Sequence, residues 1–246
     1  MKVRTVKESW RQLVIGHELL LVTAKLILSC LEKCDQAICL PIRPLLVQKY
    51  LKSHQVRKLH IGAGRNVLPG WLNTEKFPRL PRVFCLNAAK PFPLSDATID
   101  YVYSEYLIEH LTYKQGQLML RERFRILKPG GGIRASTPDL EKYVGLFRRQ
   151  KSSLQQKYIH WHIDNICPQV GIYQATFVVN NAFRKFGHQF LHDFRLLQST
   201  LEKAGSVAIT RYDVGRSDDE VFREVKFRTH ECMRFETTIV EARRPL

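Results

Sequence analysis

Apolar and polar positions alternate along the chain in two ways, at helical spacing near the N-terminus and as short runs between turns further on. From Leu13 to Leu31, apolar side chains recur every three or four residues, which predicts an amphipathic helix within residues 1 to 40. Pro41 and Pro44 are expected to end this helix. Its apolar run is shorter than the roughly 20 residues that a membrane-spanning helix needs. We therefore expect an apolar face that packs on the protein, on a second subunit or on a membrane surface.

From Val56 onward, the pattern is that of strands alternating with helices. Short apolar runs are bounded by Gly, Pro, Asn and Asp, as is typical of buried strands. The predicted strands are Leu59 to Ile61, Trp71 to Thr74, Val83 to Leu86, Ile99 to Tyr103, Ile133 to Thr137, Val207 to Val214 and Thr237 to Ala242.

Helical segments separate the later strands. Thr112 and Gln115 have the spacing of a capping box and are predicted to open a helix that Lys128 to Gly132 ends. Residues 140 to 190 read as mostly helical and are too long for a simple crossover, so they form a predicted insertion. A further helix is expected from Asp193 to Ala204.

This order of elements predicts an α/β fold with a mostly parallel, doubly wound sheet. We expect an N-terminal helical extension over residues 1–50 and one domain over residues 51–246, with the helical insertion at about 140–190. In such sheets ligands bind beyond the carboxyl ends of the strands, which directs attention to the residues that follow each strand.

The charge balance is strongly basic. Thirty-nine Lys and Arg residues against 23 Asp and Glu residues give a formal net charge of +16. Such a surface attracts nucleic acid, acidic glycans or anionic lipid headgroups, although a solvated basic surface without a specific partner explains it equally well. Net charge therefore indicates a class of partner and says nothing about the fold.

The six cysteines do not indicate a disulfide framework, because a chain of this size with 44% hydrophobic residues can form a full core. Cys30, Cys34 and Cys39 match no common zinc or iron–sulfur spacing and fit apolar positions of a helix better. No secretory signal is recognised. These observations predict reduced thiols and a cytoplasmic protein, with peripheral association at the inner membrane face as an alternative.

The most informative motif is the glycine turn Gly62-Ala63-Gly64 after the first predicted strand. Glycines permit positive φ and close approach of the backbone to a ligand. Glu75 follows the second predicted strand and is the kind of group that accepts hydrogen bonds from ribose hydroxyls. The motif predicts a nucleotide or nucleoside site at the carboxyl ends of these strands.

With these motifs in this order, the chain resembles the class I S-adenosylmethionine-dependent methyltransferases (methyltransferase type 11-like) over roughly residues 56 to 242. The resemblance implies a Rossmann-like fold and S-adenosyl-L-methionine as cofactor. Within the family, the chain is similar to a bacterial branch whose members act on cell-envelope glycans or small metabolites. The motifs are Gly62 to Gly64, Gly70 to Asn73, Glu75, Lys90 to Pro93, Tyr103 to Glu105, Glu109-His110, Leu127 to Gly131 and Gly187 to Leu191.

The resemblance also assigns roles at the cofactor site. Gly62 and Gly64 would pass under the methionine part of the cofactor, and Glu75 would hold the ribose hydroxyls. Asn87 stands where the family usually has an aspartate that receives the adenine amino group. Its carbonyl oxygen can still accept, but it carries no charge. The predicted cofactor-binding residues are thus Gly62, Ala63, Gly64, Glu75, Asn87 and Ser104.

Methyl transfer to a hydroxyl or amine needs a group that removes a proton, and His110 is the predicted catalytic base. An imidazole titrates near neutral pH, and this position after the fourth strand would lie near the methyl group. In the alternative interpretation, Glu109 and His110 only brace the following helix.

A second group of histidines falls in and after the insertion. The spacings of His160 with His162 and of His188 with His192 are compatible with zinc, but no cysteine or carboxylate completes either set, and no metal is predicted. We expect this region to line the acceptor pocket instead. The predicted substrate-binding residues are His188, Asn181 and Phe183.

Together these features predict a methyltransferase that acts on an oxygen or nitrogen of a small-molecule, glycan or lipid-linked acceptor, with an anionic membrane surface as a further partner. Two alternatives remain open. The net charge suits an RNA methyltransferase, although no separate RNA-binding module is recognised. The neutral Asn87 suits a protein that binds S-adenosylmethionine without catalysis. The oligomeric state is not predicted.

Overall fold

The computed structural model describes residues 43–78, 80, 82–225 and 230–246. The predicted N-terminal helix within residues 1 to 40, with its apolar face and its three cysteines, lies outside the described residues. Residues 43–53 form a helix, α1. No helix in the described ranges is both long and apolar enough to cross a membrane.

A seven-stranded sheet forms the centre of the molecule, in the order β3-β2-β1-β4-β5-β7-β6. The strands from β3 to β5 are parallel, whereas β7 runs antiparallel to both β5 and β6. The predicted Rossmann-like, mostly parallel sheet is thus confirmed. The strands are β1 (Lys58–Ile61), β2 (Leu72–Glu75), β3 (Phe84–Cys85), β4 (Ile99–Glu105), β5 (Leu127–Pro138), β6 (Val207–Tyr212) and β7 (Thr237–Arg243).

The register brings the carboxyl ends of the central strands to one edge. Ile61 of β1 pairs with Thr74 of β2 on one side and with Ser104 of β4 on the other. Glu75 of β2 pairs with Cys85 of β3. The residues that follow β1, β2 and β3 therefore begin at the same level, where they can surround one ligand.

The connections between β1 and β4 differ from the expected alternation with helices, because the described residues of this region contain no helix. The Asn73 side chain, on β2, holds the loop that precedes this strand by hydrogen bonds. Its side-chain Oδ1 accepts from the Leu68 N–H and its Nδ2 donates to the Leu68 carbonyl, both at 2.9 Å. The buried amide thereby satisfies loop backbone groups that would otherwise lack partners. Proline and glycine in these short loops also disfavour helix formation.

The helices pack against the sheet or form the insertion. The predicted capping box is present, since the Thr112 side chain accepts from the Gln115 N–H and the Gln115 side chain accepts from the Thr112 N–H. The remaining helices are α2 (Tyr113–Ile126), α3 (Leu140–Gly145), α4 (Ser153–Ile166), α5 (Ala175–Arg184), α6 (Phe194–Lys203), α7 (Glu220–Arg223) and α8 (Glu231–Glu236).

The fifth strand begins earlier than predicted. Lys128 to Gly132 was expected to end α2 and precede the strand, but β5 starts directly at Leu127. A Cβ at Gly131 would lie 2.8 Å from the Lys128 carbonyl oxygen, so this close approach requires glycine. Pairing with the end of the chain extends the strand here, since the Gly130 N–H donates to the Arg244 carbonyl at 3.0 Å.

Three apolar clusters form the core of the described residues, and the smallest surrounds Trp71, Tyr103 and Phe222. The largest one packs α2 and α6 against the sheet around residues such as Leu59, Ile99 and Ile133, which are completely buried. The second one lies within the predominantly helical region from α3 to α5, around Tyr158 and Val178, and includes Cys232 of α8. The predicted insertion thus has an apolar core of its own, which α8 completes.

Candidate active site

A cavity of about 510 Å³ lies at the carboxyl ends of β1, β2 and β3, and we call it the strand-end cavity. Its lining includes Gly62 after β1, Glu75 at the end of β2 and Asn87 after β3, with His110 on the opposite side. Four of the residues predicted from the sequence therefore surround one space. Its volume falls in the range usual for cofactor sites.

The glycine turn and Glu75 form a single unit. Gly62 has φ of +72°, and a Cβ there would lie 3.0 Å from a methyl carbon of Leu107. The Gly64 N–H donates to Glu75 Oε2 at 3.1 Å, and the Lys76 N–H donates to Oε1 at 2.7 Å. These backbone bonds fix the carboxylate at the cavity and leave lone pairs for ligand hydroxyls.

Asn87 lines the cavity but has a local contact as well. Its Oδ1 accepts from the Ala89 N–H at 2.9 Å, which stabilises the turn after β3. A carbonyl oxygen has a second lone pair, so it can accept from one further donor. This geometry is compatible with an adenine amino group at Asn87.

Three predicted cofactor residues, Ala63, Gly64 and Ser104, do not line the strand-end cavity. Ala63 is buried, and its N–H donates to the Thr74 carbonyl at 2.9 Å. Ser104 is also buried, and its hydroxyl accepts a hydrogen bond from Arg123 of α2. Both contacts belong to the sheet and its packing, because the register of β4 turns Ser104 toward α2.

A second cavity of about 330 Å³, the aromatic cavity, adjoins the first. The insertion and α8 contribute most of its lining, and its exposed surface is predominantly apolar. The aromatic and apolar members include Tyr143, Trp161, Phe186 and Met233, and the polar members include Glu109, His162, His188 and Glu236.

Tyr106 and His110 line both cavities and therefore mark the boundary between them. Tyr106 has φ of +47°, which is unusual for a residue with a side chain. Its hydroxyl is hydrogen-bonded to Thr237, the first residue of β7. The ring of His110 lies 5.1 Å from that of His188, measured between centroids. Strained backbone of this kind is concentrated at functional sites.

Buried acids face the aromatic cavity. Burial raises the pKa of Glu109 to about 8, although Thr137 Oγ1 donates to its Oε2 at 3.0 Å. Burial also raises the pKa of Glu236, which accepts from the Tyr143 hydroxyl at 2.7 Å and from Tyr158. Burial thus raises the pKa of both carboxyl groups that line this cavity.

Only part of the predicted acceptor set reaches this cavity. His188 lines it, but Phe183 is 47% exposed on α5 and lines neither cavity. The Asn181 amide turns instead to His162 and to Cys167, at 3.3 Å from each. Neither Asn181 nor Phe183 is among the residues that line the aromatic cavity.

The four histidines considered for zinc are also separated. His160 stacks on Tyr173 at 4.2 Å in another cavity, and His192 lies between the rings of Tyr113 and Phe190. Of the four, His162 and His188 share the aromatic cavity.

Several lining residues were missed from the sequence. Tyr106, Gln189 and Glu236 lie at the cavities, and none was predicted as a site residue. Gln189 falls inside the motif Gly187 to Leu191, which could have signalled it. Nothing in the pattern indicates Glu236, because α8 is only six residues long.

Burial of neutral histidines predicts a pH-dependent stability difference. Burial lowers the pKa of His192 to about 4, whereas a histidine in the unfolded chain titrates near 6.5. Between these values the unfolded state binds more protons, so this contribution is complete above pH 6.5 and decreases as the pH falls toward 4. We compare the free energies of unfolding of wild type and His192→Gln. The advantage of wild type should shrink by up to about 3 kcal/mol when the pH is lowered from 7.5 to 4.5.

Urea denaturation of both proteins across this range measures the difference. Comparing the two proteins cancels the titration of other buried groups such as Glu109. A difference that is constant with pH would show that His192 titrates normally in the folded protein.

Comparison with known proteins identifies one family. Residues 64–134 match a family model described as a methyltransferase domain. Among curated proteins, no match is found.

Solved structures similar to the chain include a SAM dependent methyltransferase from Archaeoglobus fulgidus, at 14% identity over 85% of this chain and 94% of that one, with a TM-score of 0.46. A possible histamine N-methyltransferase from Thermotoga maritima has 18% identity over 87% and 95%, with a TM-score of 0.44. Phosphoethanolamine N-methyltransferase 2 from Haemonchus contortus, solved with S-adenosyl-L-methionine, has 15% identity and a TM-score of 0.43. The alignment covers 78% of this chain and about half, 49%, of that enzyme.

The matched segment runs from Gly64 to Arg134 of β5 and includes Glu75, Asn87 and His110 of the strand-end cavity, whereas Gly62 lies just before it. The sheet has a parallel β3-β2-β1-β4-β5 half followed by an antiparallel β7 and β6. Residues 64–134 thus match a methyltransferase domain, and they lie within a Rossmann-like sheet.

Proposed function

We propose that the protein transfers a methyl group from S-adenosylmethionine to an oxygen or nitrogen of a small-molecule, glycan or lipid-linked acceptor. One observation carries the proposal: Tyr106 and His110 line both the strand-end cavity and the aromatic cavity. A donor in the first and an acceptor in the second would meet at these two side chains, as group transfer by proximity requires.

The strand-end cavity fits the cofactor in shape and chemistry. Glu75, fixed by two backbone N–H groups, would accept from the ribose hydroxyls, and Asn87 would accept from the adenine amino group. Gly62 leaves room beside Leu107 where a side chain would collide. Bound there, S-adenosylmethionine supplies an electrophilic methyl group on its sulfonium sulfur.

The aromatic cavity fits a compact acceptor that has an apolar face and several hydroxyl groups. Tyr143 and Trp161 offer ring surfaces, while Glu236 and His162 offer hydrogen-bonding groups. A sugar ring combines these properties, which favours a glycan or a sugar-bearing lipid. Among the described residues that line this cavity there is no Lys or Arg. A phosphate would therefore lack a cationic partner inside it, which argues against an RNA substrate.

His110 is the proposed proton acceptor for the acceptor hydroxyl or amine. Its ring lies at the boundary, in contact with the space on both sides. The chain's own part in the reaction is then to align the acceptor, exclude water with the insertion and take up one proton.

Incubating the full-length protein with labelled S-adenosylmethionine and a fractionated native extract tests this function. We expect label in the glycan, lipid or small-molecule fraction. Label confined to RNA would overturn the proposed acceptor class. Saturable cofactor binding by calorimetry, with no label in any fraction, would favour a binding protein without catalysis.

A further inference from the structure

Three side chains with metal-ligating atoms converge at the boundary between the two cavities. Glu109 and His110 lie on the short helical turn Ile108–His110 after β4, and His188 follows α5. One donor atom from each lies within 4.8 Å of the other two. Two imidazoles and one carboxylate form a donor set that proteins use for Zn²⁺ and other divalent transition metals.

The carboxylate of Glu109 lacks part of its hydrogen bonding. The side chain is completely buried, and Oε2 accepts from Thr137. Oε1 is buried as well and has no hydrogen-bond partner among the described residues. Leaving a buried carboxylate oxygen unsatisfied is costly, and a cation at Oε1 would remove that cost.

The hydrogen bond of His188 determines which ring nitrogen is available. Nδ1 lies 2.6 Å from the Ala182 carbonyl oxygen. Because a carbonyl only accepts, Nδ1 carries the hydrogen and Nε2 keeps its lone pair. Histidines that bind metals commonly donate their second N–H to a carbonyl or carboxylate in this way.

The backbone holds the two halves of the cluster together. The Gln189 and Phe190 N–H groups donate to the Glu109 carbonyl at 2.7 and 3.2 Å. The Gln189 side chain donates to the His110 carbonyl at 2.9 Å. Hydrogen bonds therefore hold the segments that carry the three donors next to each other.

We propose that Glu109, His110 and His188 bind a divalent transition metal ion such as Zn²⁺. All three residues line the aromatic cavity, so the remaining coordination positions face the space assigned to the acceptor. An acceptor hydroxyl could coordinate there, which would place its oxygen at the boundary. That role rests on the proposed function, whereas metal binding itself does not.

Sequence spacing did not reveal this site. The spacings of the four histidines in and after the insertion are compatible with zinc. The cluster instead joins one of these histidines, His188, to Glu109 and His110, which follow β4. No metal was therefore expected from the chain alone.

Spectroscopy of the full-length protein with Co²⁺ tests the proposal. After treatment with a chelator, the protein is titrated with Co²⁺ while its absorption is followed, and Zn²⁺ affinity is measured by calorimetry. We expect ligand-field bands of nitrogen and oxygen ligands without a thiolate charge-transfer band. Glu109→Gln and His188→Ala should each weaken Zn²⁺ binding at least about 100-fold. Glu109→Gln preserves size, and so guards against a loss that results from misfolding.

His160→Ala is the matched control, because His160 is a histidine of the same region that stacks on Tyr173 in a different cavity. It should bind Zn²⁺ as wild type does. Unchanged affinity in both ligand variants, a cobalt spectrum dominated by thiolate, or no saturable binding would each overturn the proposal.

Measuring Zn²⁺ affinity and methyl transfer on the same preparation separates this proposal from the proposed function. Zn²⁺ binding without methyl transfer would support the metal site and refute the proposed function. Methyl transfer by a protein that binds no Zn²⁺ would support the function and refute the metal site.

Discussion

Replacing Gly64 by valine is expected to abolish measurable S-adenosylmethionine binding while the protein remains folded. Gly64 has φ of +51°, a region in which a β-branched residue is strained, but a Cβ there would meet nothing within 4 Å. The strain would be relieved by rotation of the turn. Because the Gly64 N–H donates to Glu75, that rotation would displace the carboxylate that faces the cofactor. Calorimetry with S-adenosylmethionine measures the loss, and circular dichroism verifies the fold.

Gly171→Val is the matched control. This residue has φ of +62° and equally open surroundings, but it lies in the loop before α5. The control therefore introduces comparable strain away from the strand-end cavity and should bind the cofactor normally. Glu75→Gln should have an intermediate effect, roughly 10- to 100-fold, because it removes the charge and keeps the shape. Wild-type affinity in Gly64→Val would remove the glycine turn from the cofactor site.

The central strands of the sheet were largely predictable because most of their residues are buried. Leu59 to Ile61 stands out as a short apolar run between turn residues, and Ile99 to Tyr103 as an alternation of apolar and mixed residues. Both lie in the centre of the sheet, where parallel strands carry many apolar residues. Their order then places the residues that follow them at one edge, where Gly62 and Glu75 line the same cavity.

Elements that depend on distant partners could not be predicted. The first residues of β5 resemble a helix end, and only pairing with the C-terminal residues makes Gly130 and Gly131 part of a strand. Similarly, Asn73 was predicted only as part of a strand, but its buried amide also forms hydrogen bonds with the loop backbone at Leu68. In both cases the determining contact comes from tertiary structure.

Which residues of α5 could hold an acceptor depends on how that helix is rotated. The rotation of a helix brings particular side chains to a site, and the sequence does not specify it. Phe183 and Asn181 lie on α5 and line neither cavity, whereas His188, just beyond that helix, lines the aromatic cavity. The cavity also needs Glu236, which the fold brings from the far end of the chain.

Replacing His110 by alanine is expected to slow methyl transfer by about 10²- to 10⁴-fold, with S-adenosylmethionine affinity nearly unchanged. The residue lies where the two cavities meet, so its loss should reduce kcat far more than it raises the KM for the cofactor. Single-turnover rates with the acceptor identified from the extract measure this change. His160→Ala, which alters a histidine of another cavity, should keep the wild-type rate. Normal turnover in His110→Ala would leave the residue with a structural role only.

The same variant separates the two chemical roles open to His110. If the imidazole takes the acceptor proton directly, the rate of chelator-treated wild-type protein equals that of untreated protein, and His110→Ala is equally slow with and without chelator. If the imidazole acts as a metal ligand beside Glu109 and His188, treatment with a chelator lowers the methyl-transfer rate of the wild-type protein, and added Zn²⁺ restores that rate. The rate of His110→Ala then changes neither with chelator nor with Zn²⁺. Because Glu109→Gln removes a ligand and leaves the imidazole in place, it should slow transfer strongly only in the second case. The combined response of these two variants to chelator therefore assigns the role of His110.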